Sequence, residues 1–171
     1  MAAGAIVRAM RIALFTILSL ALAAASPLAA APASPPAETA RTVTRQGATR
    51  ILDENAAQRL LNNKGLTLQW IDWDRRGTAI VSRKRGLWTL RGAQTDANGT
   101  GKLFLDGKIT EIGADYFIFK GKIRITDTPD KGRVCEKDKV WRFAITQNRS
   151  YFRLREFEWC DGLTDYVDVY F

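Results

Sequence analysis

The chain has 171 residues, of which 46% are hydrophobic and 26% charged, enough for one packed core and too few for two. Histidine is absent and only two cysteines occur. That excludes His-assisted nucleophilic triads and His-based metal sites, and two thiols alone do not make a zinc site. The formal net charge of +8 directs attention to anionic partners.

In chain order, Arg8 and Arg11 precede an apolar run over residues 12–22, and Ala23, Ala24 and Ala25 supply small residues suited to cleavage. This pattern predicts a secretory signal peptide over residues 1–25. The apolar run falls below the ~20 residues a helix needs to cross a bilayer, so a membrane-spanning chain is not expected. No Cys follows the run, which leaves no acceptor for a lipoprotein-type anchor. The expected address is periplasmic or secreted. Loss of Arg8 and Arg11 leaves 24 basic against 18 acidic residues, a net +6. Nucleic acid is not an expected partner in that compartment. Anionic lipid, lipopolysaccharide or another envelope component is.

Residues 26–48 open with SPLAAAPASPPAETA, a stretch of Ala, Pro and Ser with little to bury, and are expected to form a disordered linker before a domain spanning residues 49–171. ILDENAAQRLLNNKG follows. Asp53 is a plausible N-cap, Ala56, Ala57, Leu60 and Leu61 recur at helical spacing, and Gly65 is a stop, which predicts one short helix over residues 53–63.

Eight strand-like runs follow: LTLQWIDW, TAIVSRKR, LWTLRGAQ, KLFLDGKITEI, YFIFKGKIRIT, KVWRFAITQ, SYFRLREFE and TDYVDVYF. Asp74 to Gly77, Asn98-Gly99 and Asn148-Arg149 supply turn chemistry between them. Short links imply antiparallel neighbours, so the fold expected is all-β, an eight-stranded antiparallel up-and-down barrel or curled meander with one N-terminal helix; a two-sheet sandwich is the rival.

FLDGKI and IFKGKI place Gly107 and Gly121 on the same face as Leu103, Leu105, Ile109, Phe117, Phe119 and Ile123, with Asp106, Lys108, Lys120 and Lys122 opposite. Shared parity and a three-residue loop over residues 113–115 predict the pairs Gly107 with Gly121, Asp106 with Lys122 and Leu105 with Ile123. Gly92, on the face of Trp88 and Leu90, extends the series to a third strand. Glycine inside strands marks sharp bending or a close approach, and a small barrel needs such bends.

Cys135 and Cys160, in an oxidising compartment, are expected to form a disulfide. No phosphate-binding loop, dinucleotide fingerprint or nucleophile elbow occurs, so no cofactor and no metal are expected. The carboxylate pairs Asp72 with Asp74 and Glu156 with Glu158 are weak signals for acid/base chemistry, and the chain is not read as an enzyme.

Charge is uneven along the chain. Residues 75–91 hold six basic residues and no acid, whereas residues 156–171 hold five acids and no base. In a closed barrel the last strand returns beside the first, so one reading has these patches attract one another. The functional reading is a surface around Arg83, Lys84 and Arg85, flanked by Trp73 and Trp88, that binds an anionic partner.

The motifs LQWIDWDRRGT (residues 68–78) and LTDYVDVYF (residues 163–171), with the signal peptide and the Cys pair, make the chain similar to small exported bacterial proteins of unassigned function. The resemblance brings no activity or site residues. In outline the barrel is also lipocalin-like, although Gly65 precedes Trp70 by five positions and the closely spaced Gly-x-Trp of lipocalins is missing. The function expected is a non-enzymatic binding module that holds an apolar ligand or an anionic envelope component. The alternative is a protein-interaction module, such as an inhibitor of an envelope hydrolase.

Overall fold

The computed structural model describes residues 47–171. The expected signal peptide and all but the last two residues of the expected linker lie outside them. The elements run β1 (Arg50–Ile51), α1 (Glu54–Leu61), β2 (Leu66–Leu68), β3 (Thr78–Lys84), β4 (Leu87–Thr95), β5 (Lys102–Ile112), β6 (Tyr116–Thr126), β7 (Val134–Ala144), β8 (Tyr151–Leu154) and β9 (Val167–Tyr170). The sheet order is β2-β9-β8-β7-β6-β5-β4-β3, antiparallel at every step. Its two ends meet where Leu66 N donates to Gly77 O at 3.2 Å and Gly77 N to Leu66 O at 2.8 Å. The result is a nearly closed eight-stranded barrel, not a sandwich.

The register of β5 on β6 follows the parity of the sequence. Gly107 faces Gly121, Asp106 faces Lys122 and Leu105 faces Ile123. Past Ile109 the register shifts, so that Glu111 meets Ile118 and Ile112 meets Phe117. This bulge at Thr110 turns the end of β5 away from β4 and onto the short parallel β1, Arg50 against Glu111 and Ile51 against Ile112. Thr49 fills the fork. Its hydroxyl donates to Ile109 O and accepts from Trp88 N.

The helix starts where the cap predicts: Asp53 Oδ1 accepts from Ala56 N at 2.7 Å. It buries Ala56, Ala57 and Leu60. Other boundaries differ from the sequence reading, each for a local reason. Strand β2 stops at Leu68 because the buried Gln94 side chain takes over its hydrogen bonding. Gln94 accepts from Leu68 N and donates to Asp72 O and Arg75 O, folding the next residues into a turn. Strand β7 begins at Val134, well before the expected KVWRFAITQ. Of its added residues Cys135 is buried, while Glu136, Lys137 and Asp138 are consecutive exposed charges, too polar to look like a strand. Beyond Leu154 the chain leaves the sheet, and residues 155–166 cross one end of the barrel before β9.

The interior holds Phe117, Phe119, Trp141, Phe143 and Phe152, all fully buried with a surround of Leu and Ile. Phe117 stacks on Phe143 with centroids 4.8 Å apart and takes Phe152 edge-on. At the glycine seam, a Cβ on Gly121 would lie 2.5 Å from Gly107 Cα and 3.0 Å from the Phe119 ring. One on Gly92 would lie 2.3 Å from the Leu66 side chain. The glycines therefore serve close approach, and the room they leave is taken by Phe119 and Leu66.

Candidate functional site

Two connections, residues 127–133 and 155–166, gather at one end of the barrel, and Arg133 holds them there. Arg133, just before β7 and only 8% exposed, donates through Nε and Nη2 to Asp161 at 2.7 and 2.8 Å. It also donates to both oxygens of the fully buried Asp165 at 3.0 and 2.9 Å, and to Thr128 O. The paired carboxylates hold the guanidinium charged, well above its ordinary pKa, against the cost of burial. The expected disulfide between Cys135 and Cys160 forms beside this cluster, with Cα atoms 5.8 Å apart. It ties residues 155–166 to β7. In the loop-entropy model its 25-residue separation contributes on the order of 3 kcal/mol. Asp161 lies near both sulfurs, but their bond to each other removes them as metal ligands.

A second arginine does similar work on the outside of the short strands. Arg153 on β8 donates from Nε and Nη2 to the two oxygens of Asp168 on β9, each at 2.7 Å. Tyr166 lies over its guanidinium at 4.1 Å and Trp73 at 5.8 Å. Asp168 is fully buried, and the loss of hydration raises its pKa, while the paired carboxylate raises that of Arg153. The bidentate geometry is what keeps both charged.

These contacts bear on the reading in which the two charge patches attract one another. Four of the five C-terminal acids are taken up by Arg133, Arg153 and Lys139, which pairs with Glu156, and none pairs with the basic run of residues 75–91 among the described residues. Within that run Arg75 pairs with Asp72 and Arg91 with Asp106. Arg83, Lys84 and Arg85 are exposed and form no ion pair among the described residues. They stand at a two-residue hairpin turn in which Arg85 has φ 53° and Gly86 φ 83°, the left-handed pair that matches the strand twist.

The structure does not assemble the five residues expected there. Trp88 points inward and is 3% exposed. It shares the face of Leu90 and Gly92, and burial of its indole outweighs any place beside the surface charges. Trp73 is exposed, but it lies in the connection that enters β3 at Thr78 while the basic turn leaves β3 at Lys84. The expected surface thus reduces to Arg83, Lys84 and Arg85. Of the carboxylate pairs, one member of each is engaged, Glu156 by Lys139 and Asp72 in a turn. Asp72 Oδ1 accepts from Asp74 N and Arg75 N, closing the turn, and these bonds lower its pKa. Sequence reasoning missed Arg133, Arg153 and Gln94, whose partners lie 15 to 32 residues away.

A model of the PM1083 family matches residues 48–171, from just before β1 to the end of the barrel. The chain belongs to the PM1083 family. Within it, an uncharacterised protein of Pasteurella multocida (strain Pm70) is 34% identical over 115 residues, which is 66% of this chain and 74% of that relative. No solved structure matches the chain. The family carries no assigned activity, so the functional reading rests on the side chains just described.

Proposed function

We propose that this PM1083 family member is an exported, non-enzymatic binding protein that docks on an anionic component of the cell envelope through the basic end of its β3–β4 hairpin. One observation carries the reading: four of the five acids that were candidates to neutralise residues 75–91 are engaged elsewhere, and Arg83, Lys84 and Arg85 have no ion pair among the described residues. Packing supports a site on the outside, since the glycine seam is filled by Phe119 and Leu66 and offers an apolar ligand no room there. A non-catalytic role is supported by the engagement of Asp72, Glu156, Asp161, Asp165 and Asp168 in turn closure or ion pairs.

Each basic residue near an anionic surface contributes about 1 kcal/mol. Replacing all three by serine is therefore expected to weaken binding to anionic vesicles or lipopolysaccharide on the order of 100-fold. Co-sedimentation at low and raised salt measures it. Equal binding of the parent chain to neutral and anionic vesicles would sink the proposal.

One further feature favours a protein partner as the second reading. Among the described residues strand β3 pairs only with β4, and the barrel closes on Gly77 just before it. Such an edge accepts an added strand. Capture of a folded envelope hydrolase that is lost on substituting Ile80, 59% exposed on this strand, with proline would support that reading.

A further inference from the structure

We infer that a groove on the β8 side of the barrel, lined by Arg149, Arg153, Arg155, Phe157 and Tyr166, is a phosphate-binding site separate from the β3–β4 hairpin. The groove has a volume of about 400 Å³ and no carboxylate among its lining residues. Asp168 engages Arg153 through Nε and Nη2, and Nη1 makes no hydrogen bond among the described residues. Arg149 and Arg155 form neither an ion pair nor a side-chain hydrogen bond among the described residues. The nearest acid in sequence, Glu156, is engaged by Lys139.

Three guanidinium groups at one groove repel each other unless something of opposite charge joins them. Each is instead steadied by a ring: Arg149 over Tyr151 at 5.7 Å, Arg153 over Tyr166 at 4.1 Å and Arg155 over Phe157 at 5.0 Å. A guanidinium lying on an aromatic face keeps its N–H edges free, in the planar fork that matches phosphate oxygens. Asp168 offsets one of the three charges, leaving two. A phosphate monoester carries about −1.5 to −2 at pH 7, so it matches that surplus, whereas a single carboxylate leaves half of it unmet. The chemistry is shared by a soluble phosphate ester and a phosphorylated lipid headgroup.

Titration calorimetry of the purified chain with inorganic phosphate tests the site, with acetate as the control. Saturable phosphate binding is expected, with acetate at least tenfold weaker. Arg149→Gln/Arg155→Gln is expected to lose at least tenfold in affinity, while Arg83→Ser/Lys84→Ser/Arg85→Ser keeps the parent value. The second pair of results separates this site from the hairpin proposal. Should the glutamine variant fail to fold, Arg149→Lys/Arg155→Lys retains charge without the fork and is expected to bind several-fold more weakly than the parent. Vesicles of phosphatidylcholine with phosphatidic acid distinguish the sources. Binding that inorganic phosphate displaces points to a headgroup, and phosphate binding without vesicle binding points to a soluble ester. No saturable phosphate binding by the parent chain, equal binding of acetate, or unchanged affinity in both arginine variants overturns the inference.

Discussion

Strands β4 to β7 and strands β8, β9 and β2 belong to one wall, yet the two halves are held in different ways. In the first half the strands are nine to eleven residues long. Their inner face is apolar and their outer face mostly polar and exposed. In the second half they are four, four and three residues long. Thr67, Arg153 and Asp168 point away from the apolar interior and are buried nonetheless, with Tyr166, Trp73 and Tyr151 around the Arg153 guanidinium. Long strands have enough ladder hydrogen bonds and apolar contact to leave their outer charges in water. Short strands have few, and the chain compensates with buried arginine–aspartate pairs, an aromatic cover and a disulfide.

The sharpest way to break this contrast is to remove one acid from each half. Asp168→Ala leaves Arg153 buried without its partner, and the expected loss is about 3–5 kcal/mol. Asp106→Ala removes the partner of Arg91 from a pair whose side chains are 68% and 47% exposed, and is expected to cost less than about 1 kcal/mol. Urea denaturation of the two variants measures both. Similar losses would show that the halves do not differ as described.

Next in size is a test of the long half where it is tightest. In Gly121→Ala the new methyl would stand 2.4 Å from Asp106 O and 2.5 Å from Gly107 Cα, both backbone atoms that cannot swing aside. Overpacking of this kind costs about 1–3 kcal/mol. A variant as stable as the parent in the same denaturation measurement would mean that the seam is loose enough to hold something other than Phe119.

The same contrast explains what was legible in the sequence. The long half announced itself through strict alternation in KLFLDGKITEI and YFIFKGKIRIT, which determined sidedness, register and the inward glycines. It could not reveal the bulge at Thr110, because that bulge exists to admit β1, a partner about 60 residues distant in the chain. The short half was harder, since strands buried on both faces have no alternation, and WIDW looks like a strand until Gln94 takes its hydrogen bonds. Cys135 and Cys160 were readable from their count and the expected compartment alone. The basic turn was readable as a charge run, but its neighbours were not. Trp88 was assigned to the surface by proximity in sequence although it shares parity with the buried Leu90. Arg133, Arg149, Arg153 and Arg155 gave no local signal, because what distinguishes them is which acids and rings the fold brings to them.

The smallest expected effect is a matter of pH and concerns the strap of residues 155–166. Two hydrogen bonds from Arg133 favour the ionised form of Asp161 and hold its pKa at about 2, below the ordinary 3.8 of an aspartate. Between these values the unfolded chain binds more protons than the folded one, so acidification favours unfolding. The contribution of Asp161 is fully present above about pH 4 and is lost as the pH falls toward 2. Asp161→Asn should therefore flatten the acid limb of the stability curve in that window and leave its neutral region nearly parallel to the parent. Arg133 still has Asp165 after Asp161 is protonated, so the loss should be local. Hydrogen exchange should show residues 155–166 opening at a higher pH than β5 and β6. If protection falls in all of them together, the strap is not an independent part of the barrel, and the division between its long and short halves fails.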